Sequence, residues 1–255
     1  MRRHFAVLGV VFLVVLAGCS GLPMGDDGAD APPNDTEGDA PTDELTYPAG
    51  YDESGVANAS EVLATHDAAI ADRPTQAQTT IRLTIPGEND GEETVQQLSM
   101  ETQTDGTGTE YARIELTESV AETYRSGDGV VYTRIDDGEN VQYTADEVQT
   151  PDALSPRTFG EALAVANLSL DTVSEDEPRR LTYSGSGVLD EETSFGDVED
   201  VETEVVVDEE GAIHSFSVSY TVPDGADVEA SFEFEYDDVT VEEPDWLDEA
   251  AQTAG

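Results

Sequence analysis

The 255-residue chain contains no lysine: its ten basic residues are all arginine, set against 58 acidic residues for a formal net charge of −48. A nucleic-acid binder needs a basic face to displace counterions, and this surface repels phosphate. Electrostatic docking on anionic lipid headgroups is disfavoured for the same reason. There is one cysteine, so no internal disulfide and no multi-Cys zinc site can form. Only three histidines occur, His4, His66 and His214, without the paired spacing of a metal site. Gly-x-Ser-x-Gly, His-Glu-x-x-His, P-loop and Rossmann glycine patterns are all missing. No cofactor is implied. The longest apolar run, Phe5 to Ala17, is about 13 residues, short of the ~20 that span a bilayer as a helix.

The acidity carries its own message. An acidic, aromatic-poor chain is often disordered, but long stretches here alternate apolar and polar residues with period two. Adaptation to high salt accounts for both features. Near 1 M salt the Debye length is only ~3 Å, so carboxylate repulsion is screened; in dilute buffer the same charges push the compact state apart. Lysine-free, carboxylate-covered surfaces resemble those of extreme halophiles. With so many carboxylates, a pair at glycosidase spacing carries no information. Asp136-Asp137-Gly138-Glu139-Asn140 lacks the alternating ligands of a calcium loop and reads as a hairpin turn.

Three regions follow from composition. Residues 1–18 read as a lipoprotein signal peptide: Arg2 and Arg3 precede the apolar run, which ends in Leu16-Ala17-Gly18-Cys19. That ending resembles a lipobox, which makes Cys19 the lipid attachment point. The Arg-Arg start resembles a twin-arginine signal without its preceding Ser or Thr, so the export route stays open between twin-arginine and general secretion. Residues 19–45, rich in Gly, Pro, Asp and Asn, read as a disordered acidic tether. Residues 46–255 read as one folded α+β domain, placed outside the membrane by the anchor.

Within the domain, Asn58-Ala59-Ser60-Glu61 is a capping-box start for a helix to about Asp72, stopped by Pro74, with Leu63, His66 and Ile70 on one face. About six strands follow, including Thr80–Ile85, Gln97–Thr102, and Val120–Arg125 with Val130–Ile135 around Ser126-Gly127-Asp128-Gly129. Ser155-Pro156 opens a second helix with Phe159, Leu163 and Ala166 on its apolar stripe, extendable to Leu170. About four strands close the chain; in the last two, Phe216, Val218 and Tyr220, then Phe232, Phe234 and Tyr236, share one face. The expected fold is a single curved antiparallel sheet, a half-barrel of about ten strands, covered by two amphipathic helices.

Tyr47-Pro48-Ala49-Gly50-Tyr51, Gly55 to Ala59, Leu63 and His66 resemble the opening of haloarchaeal surface lipoproteins of unknown function. The element order, with the final Phe232 to Glu243 strand running into Pro244-Asp245-Trp246, resembles the lipoprotein-carrier fold of LolA, LprG and LppX. That resemblance implies an apolar cavity between sheet and helices, and a binding role without catalysis. The residues it points to are Phe159, Leu163, Phe216, Tyr220, Phe232, Phe234 and Tyr236. The ligand implied is a hydrophobic small molecule or lipid. The alternative is a packed module that meets another cell-envelope protein. His66 and His214 read as packing residues on apolar faces. Asn34, Asn58 and Asn167 begin Asn-x-Ser/Thr sequons and are glycosylation candidates; no metal site is expected.

Anchoring is directly testable. A Cys19→Ser variant, expressed in the native host and fractionated, should leave the membrane pellet. Processing and membrane partitioning unchanged from wild type would contradict the assignment of Cys19.

Overall fold

A computed structural model describes residues 45–87, 93–127, 129–146, 163, 167–175, 178–189, 198–223 and 225–253. A two-stranded hairpin, β1 (Tyr51–Asp52) and β2 (Gly55–Val56), leads into helix α1 (Ala59–Ile70). Six strands follow: β3 (Thr75–Ile85), β4 (Thr94–Thr104), β5 (Glu110–Leu116), β6 (Ser119–Arg125), β7 (Val131–Asp136) and β8 (Val141–Asp146). The second run is β9 (Ser169–Val173), β10 (Arg180–Leu189), β11 (Val198–Asp208), β12 (Ile213–Thr221) and β13 (Asp227–Tyr236), and α2 (Leu247–Thr253) comes last. The eleven strands β3–β13 make one open sheet in the order β8-β7-β6-β5-β4-β3-β13-β12-β11-β10-β9. Every neighbouring pair is antiparallel, and the two meanders join through β3 and β13.

Register sorts the side chains. On the inner face, one row runs from Tyr183 through Val205, Phe216 and Phe232 to Thr79 and Met100. It continues through Ile114 and Ala121 to Ile135. On the outer face the corresponding row is Ser215, Glu233, Gln78, Glu101, Arg113, Glu122, Arg134 and Tyr143. A slip of one residue would exchange these sets and bury the carboxylates, so the pairing is forced. Register shifts occur only in the β9–β12 pairings, with Asp200 in a left-handed conformation (φ 53°) inside one of them. Such bulges bend strands and increase twist, which curls this half of the sheet around the core.

The main core sits there, on the inner face. Asn58 caps α1 by accepting from the amides of Ser60 and Glu61 at 3.2 and 3.3 Å. Its own amide donates to Gly50 O, so the reciprocal Glu arm of a capping box is replaced by the preceding loop. The face of α1 that turns inward carries Val62 and His66, with Leu63 and Ile70 only half-buried. Val62, Leu163, Leu181, Tyr183, Val205 and Phe216 belong to one buried cluster, and Tyr51 stacks on Tyr183 at 4.9 Å between ring centroids.

A second, polar packing layer lies on the outer face at the other end. There α2 packs against β7 and β8: Tyr143 donates to Glu249 at 2.7 Å, and its ring lies 6.4 Å from that of Trp246. Buried Glu122 accepts from Tyr111 and from Arg134, both at 2.7 Å. The α+β open sheet and its two helices match the expected class, but the two described helices lie on opposite faces. The C-terminal helix had no strong apolar stripe to announce it, because its attachment is aromatic and polar. The expected helix after Ser155 falls mostly outside the described residues. Leu163 within it is helical and 1% exposed. Leu170 does not continue its stripe: it is in β9, paired with Tyr183.

Phe234, 7% exposed and in contact with His66, tests the core. Phe234→Ala should lower unfolding free energy by about 3–5 kcal/mol in a denaturant titration held at molar salt. A loss well under about 1 kcal/mol would mean this face is not packed.

Candidate ligand-binding face

The inner row changes environment along its length. Tyr183 and Val205 are 0% exposed, Phe216 2% and Met100 6%, whereas Ile114 and Ala121 are half-buried and Ile135 is 43% exposed. Ile81, Leu83, Leu98, Ala230 and Val228, on the same face beside it, are also half-buried. The inner face, apolar along this row but for Thr79, is therefore closed at β10–β12 and at Thr79 and Met100, and opens along Ile114, Ala121 and Ile135 and beside Phe232, with Ala112 and Val131 of the same face buried. The sequence produces this because alternation keeps apolar residues on the inner face of most strands, with β6 and β8 also carrying Val120, Tyr124, Val141 and Tyr143 on the outer face, while the bulges are confined to one half.

The residues singled out from sequence divide between these zones. Leu163, Phe216 and Phe234 lie in the closed core. Phe232 and Tyr220 stand half-buried at the margin, with Phe232 5.6 Å from the Phe216 ring. Burial pushes the Tyr220 hydroxyl up to about 12. Tyr236 stacks on Phe234 at 6.4 Å, donates to Ile213 O and lies under the Arg73 guanidinium at 4.8 Å. Phe159, Cys19 and Asn34 fall outside the described residues. Ile114, Ile135, Leu98 and Leu83 were visible as strand residues, but nothing in the sequence distinguishes a covered strand from a half-open one.

Cavities of about 230 and 970 Å3 open among the described residues. Their side chains belong largely to the outer polar face: Gln78, Thr80, Ser99, Glu101 and Arg113 in the first, and Ser184, Glu202, Glu204, Ser217 and Ser219 in the second. Neither is lined by the aromatic residues named from sequence.

The histidines frame the closed end. Ile213 N–H donates to His66 Nδ1 at 3.2 Å, which puts the proton of the neutral ring on Nε2. Desolvation lowers the His66 pKa to about 4, opposed by the charge of Asp208 and reinforced by His214. Asp208, 3% exposed, meets His214 Nε2 at 3.0 Å and accepts from the amides of Ala212 and Glu210. Burial alone would raise its carboxyl; His214 and the amides outweigh this and hold it below its ordinary range. A base beside an orienting carboxylate is present, but its neighbour is the Tyr236 ring at 5.3 Å, and the Tyr236 hydroxyl is engaged by Ile213 O. The described residues contain no catalytic constellation. Among them no group of three or more His, Cys, Asp or Glu is arranged to hold a metal ion, and no helix is long and apolar enough to cross a membrane. Asp208 escaped sequence reading because one buried carboxylate among 58 acidic residues gives no signal. Its place just before the Glu209-Glu210-Gly211 turn, where it can accept turn amides, was the available clue.

The profile of a family described as a family of unknown function, DUF7537, matches residues 4–250. No curated protein matches the chain. Among solved structures, similarity extends to a domain described as an outer membrane lipoprotein-sorting protein from Vibrio parahaemolyticus, at 8% identity and TM-score 0.29, covering 75% of this chain and 98% of that one. A LolA superfamily protein from Nitrosomonas europaea gives 9% identity and TM-score 0.27, with coverage of 72% and 95%. A DUF1329 family protein from Desulfovibrio piger gives 7% identity and TM-score 0.27, with coverage of 72% and 93%.

The His66 environment makes stability fall in mild acid. Its folded pKa lies below the unfolded value of 6.5, so the unfolded chain takes up the proton first. The contribution is complete above pH 6.5 and is lost as pH falls toward 4, by up to about 3 kcal/mol. His66→Gln, which can still accept from Ile213 N–H, should remove that part of the acid dependence in thermal melts at constant molar salt. Superimposable pH curves for the two proteins would contradict the buried neutral imidazole.

Proposed function

The chain belongs to DUF7537, a family of unknown function, and we propose that it is a lipid-anchored, extracytoplasmic binding protein of a high-salt organism. It holds an apolar ligand such as an acyl chain against the half-open part of its inner face. The observation that carries this reading is the inner row from buried Phe216 to Ile135, 43% exposed, which is apolar at every strand but β3, where Thr79 stands. An acyl chain laid along Ile114, Ala121 and Ile135 would extend the existing core from buried Met100 without displacing it, and removing that apolar area from water supplies ~25 cal/mol per Å2. Net charge restricts the ligand further: an anionic headgroup is held away from a −48 surface except where salt screens it. The anchor at Cys19 and the tether to residue 45 remain part of this proposal, as does the relationship to haloarchaeal lipoproteins.

The second reading is a packed envelope module without ligand. The mutual packing of Phe216, Phe232, Phe234 and Tyr236 favours it at the closed end. The readings differ at the margin. In the binding reading, Ile135→Glu leaves the melting temperature within the scatter of wild type and weakens uptake of a fluorescent fatty-acid analogue at least tenfold, about 1.4 kcal/mol. Unaltered uptake by Ile135→Glu, or no saturable uptake by wild type, would contradict ligand binding at this face.

A further inference from the structure

The sequon Asn167-Leu168-Ser169 leads directly into edge strand β9. Its three side chains alternate: Asn167 and Ser169 are exposed, while Leu168 is 5% exposed and anchored in the core. Two glycines fix the backbone between them. A Cβ at Gly185 would lie 2.5 Å from the Asn167 carbonyl oxygen, and one at Gly55 would lie 1.7 Å from that of Leu168, so neither position accepts a side chain without movement. The carboxamide and the hydroxyl two residues on are thus held outward by a pinned, non-helical segment. The Asn58 sequon differs. Its Oδ1 accepts from two helix amides, and Ser60 already lies within α1. Asn34 is outside the described residues.

Asn167 also borders the larger cavity, about 970 Å3. The outer-face side chains of that groove are short hydroxyls, Ser169, Ser184, Ser186, Ser217 and Ser219, interleaved with Glu202, Glu204 and Glu229. Small side chains leave room, and hydroxyls with carboxylates offer donors and acceptors to a polyhydroxylated ligand. The carboxylates disfavour an acidic sugar at this point.

We propose that Asn167 is an N-glycosylation site and that the first, uncharged sugars of its glycan lie in this groove. The donor required is a lipid-phosphate-linked sugar. The Asn167 Nδ2–C1 bond forms as the C1–O bond to phosphate breaks; the lipid phosphate leaves with the electron pair, and a base on the transferase takes one amide proton. The step needs an extracytoplasmic location but not the ligand-binding reading.

The test uses full-length protein purified from native membranes. Mass spectrometry of the peptide spanning Asn167 should show a sugar mass increment, absent in Ser169→Ala and retained in Ser169→Thr. Equal melting temperatures of the variants exclude misfolding, since Ser169 is exposed on an edge strand. Carbodiimide labelling of Glu202 and Glu204 should be several-fold lower in wild type than in Ser169→Ala, with Glu115, outside this groove, labelled equally in both. An unmodified Asn167 peptide overturns the proposal. A modified Asn167 with equal labelling of Glu202 and Glu204 overturns the groove assignment.

Discussion

Strand register is the constraint on which the rest of the molecule depends. The antiparallel register lines up alternate residues of each strand across β3–β13, so that Phe216, Phe232, Met100 and Ile114 share a face from which Ser217, Glu233, Glu101 and Arg113 are excluded. Each local slip would desolvate carboxylates and expose aromatic surface. Helix α1 is held by that face, through Val62 and His66, and α2 by the opposite one, through Tyr143 and Trp246. The outer ion-pair row in which Glu122 joins Arg134 across β6 and β7 is a consequence of the same alignment.

The proposed binding function rests on where this face is closed. Irregular pairing confined to β9–β12 curls one half of the sheet, and α1 and the β1–β2 segment fill it. The β3–β8 half pairs without a register shift and leaves Ile114 and Ala121 half-buried and Ile135 exposed. A closed core continuous with an open apolar margin is the geometry of a surface that can accept an extended hydrophobic guest at one end while remaining folded at the other. The polar network of the outer face, with its hydroxyl groove, belongs to the solvent side of the same sheet.

Alternation made most strands legible, because period two is local: Phe232, Phe234 and Tyr236 against Glu233 and Glu235 admit one reading. The Asn58 cap was legible for the same reason. What was not legible depends on tertiary partners. In the first half of β3, Thr75, Ala77 and Thr79 are small residues whose burial comes from their neighbours, and Leu170 read equally well as the end of a helical stripe or the start of a strand. The α2 attachment joins Tyr143 to Glu249 and Trp246 across a long sequence separation, which leaves no periodic trace; the contacts of buried Asp208 are local, to Glu210, Ala212 and His214, but one carboxylate among 58 acidic residues does not stand out. The candidate site was half legible: the aromatic face was visible, but its division into closed core and open margin comes from curvature.

The most direct test of the binding account is mass spectrometry of organic extracts from the protein purified in molar salt from its native membrane. The account predicts a hydrophobic molecule, co-purifying in near-stoichiometric amount and depleted from an Ile135→Glu variant prepared in parallel. Extracts from folded wild-type protein that match a mock preparation would contradict it and leave the packed envelope module as the better description.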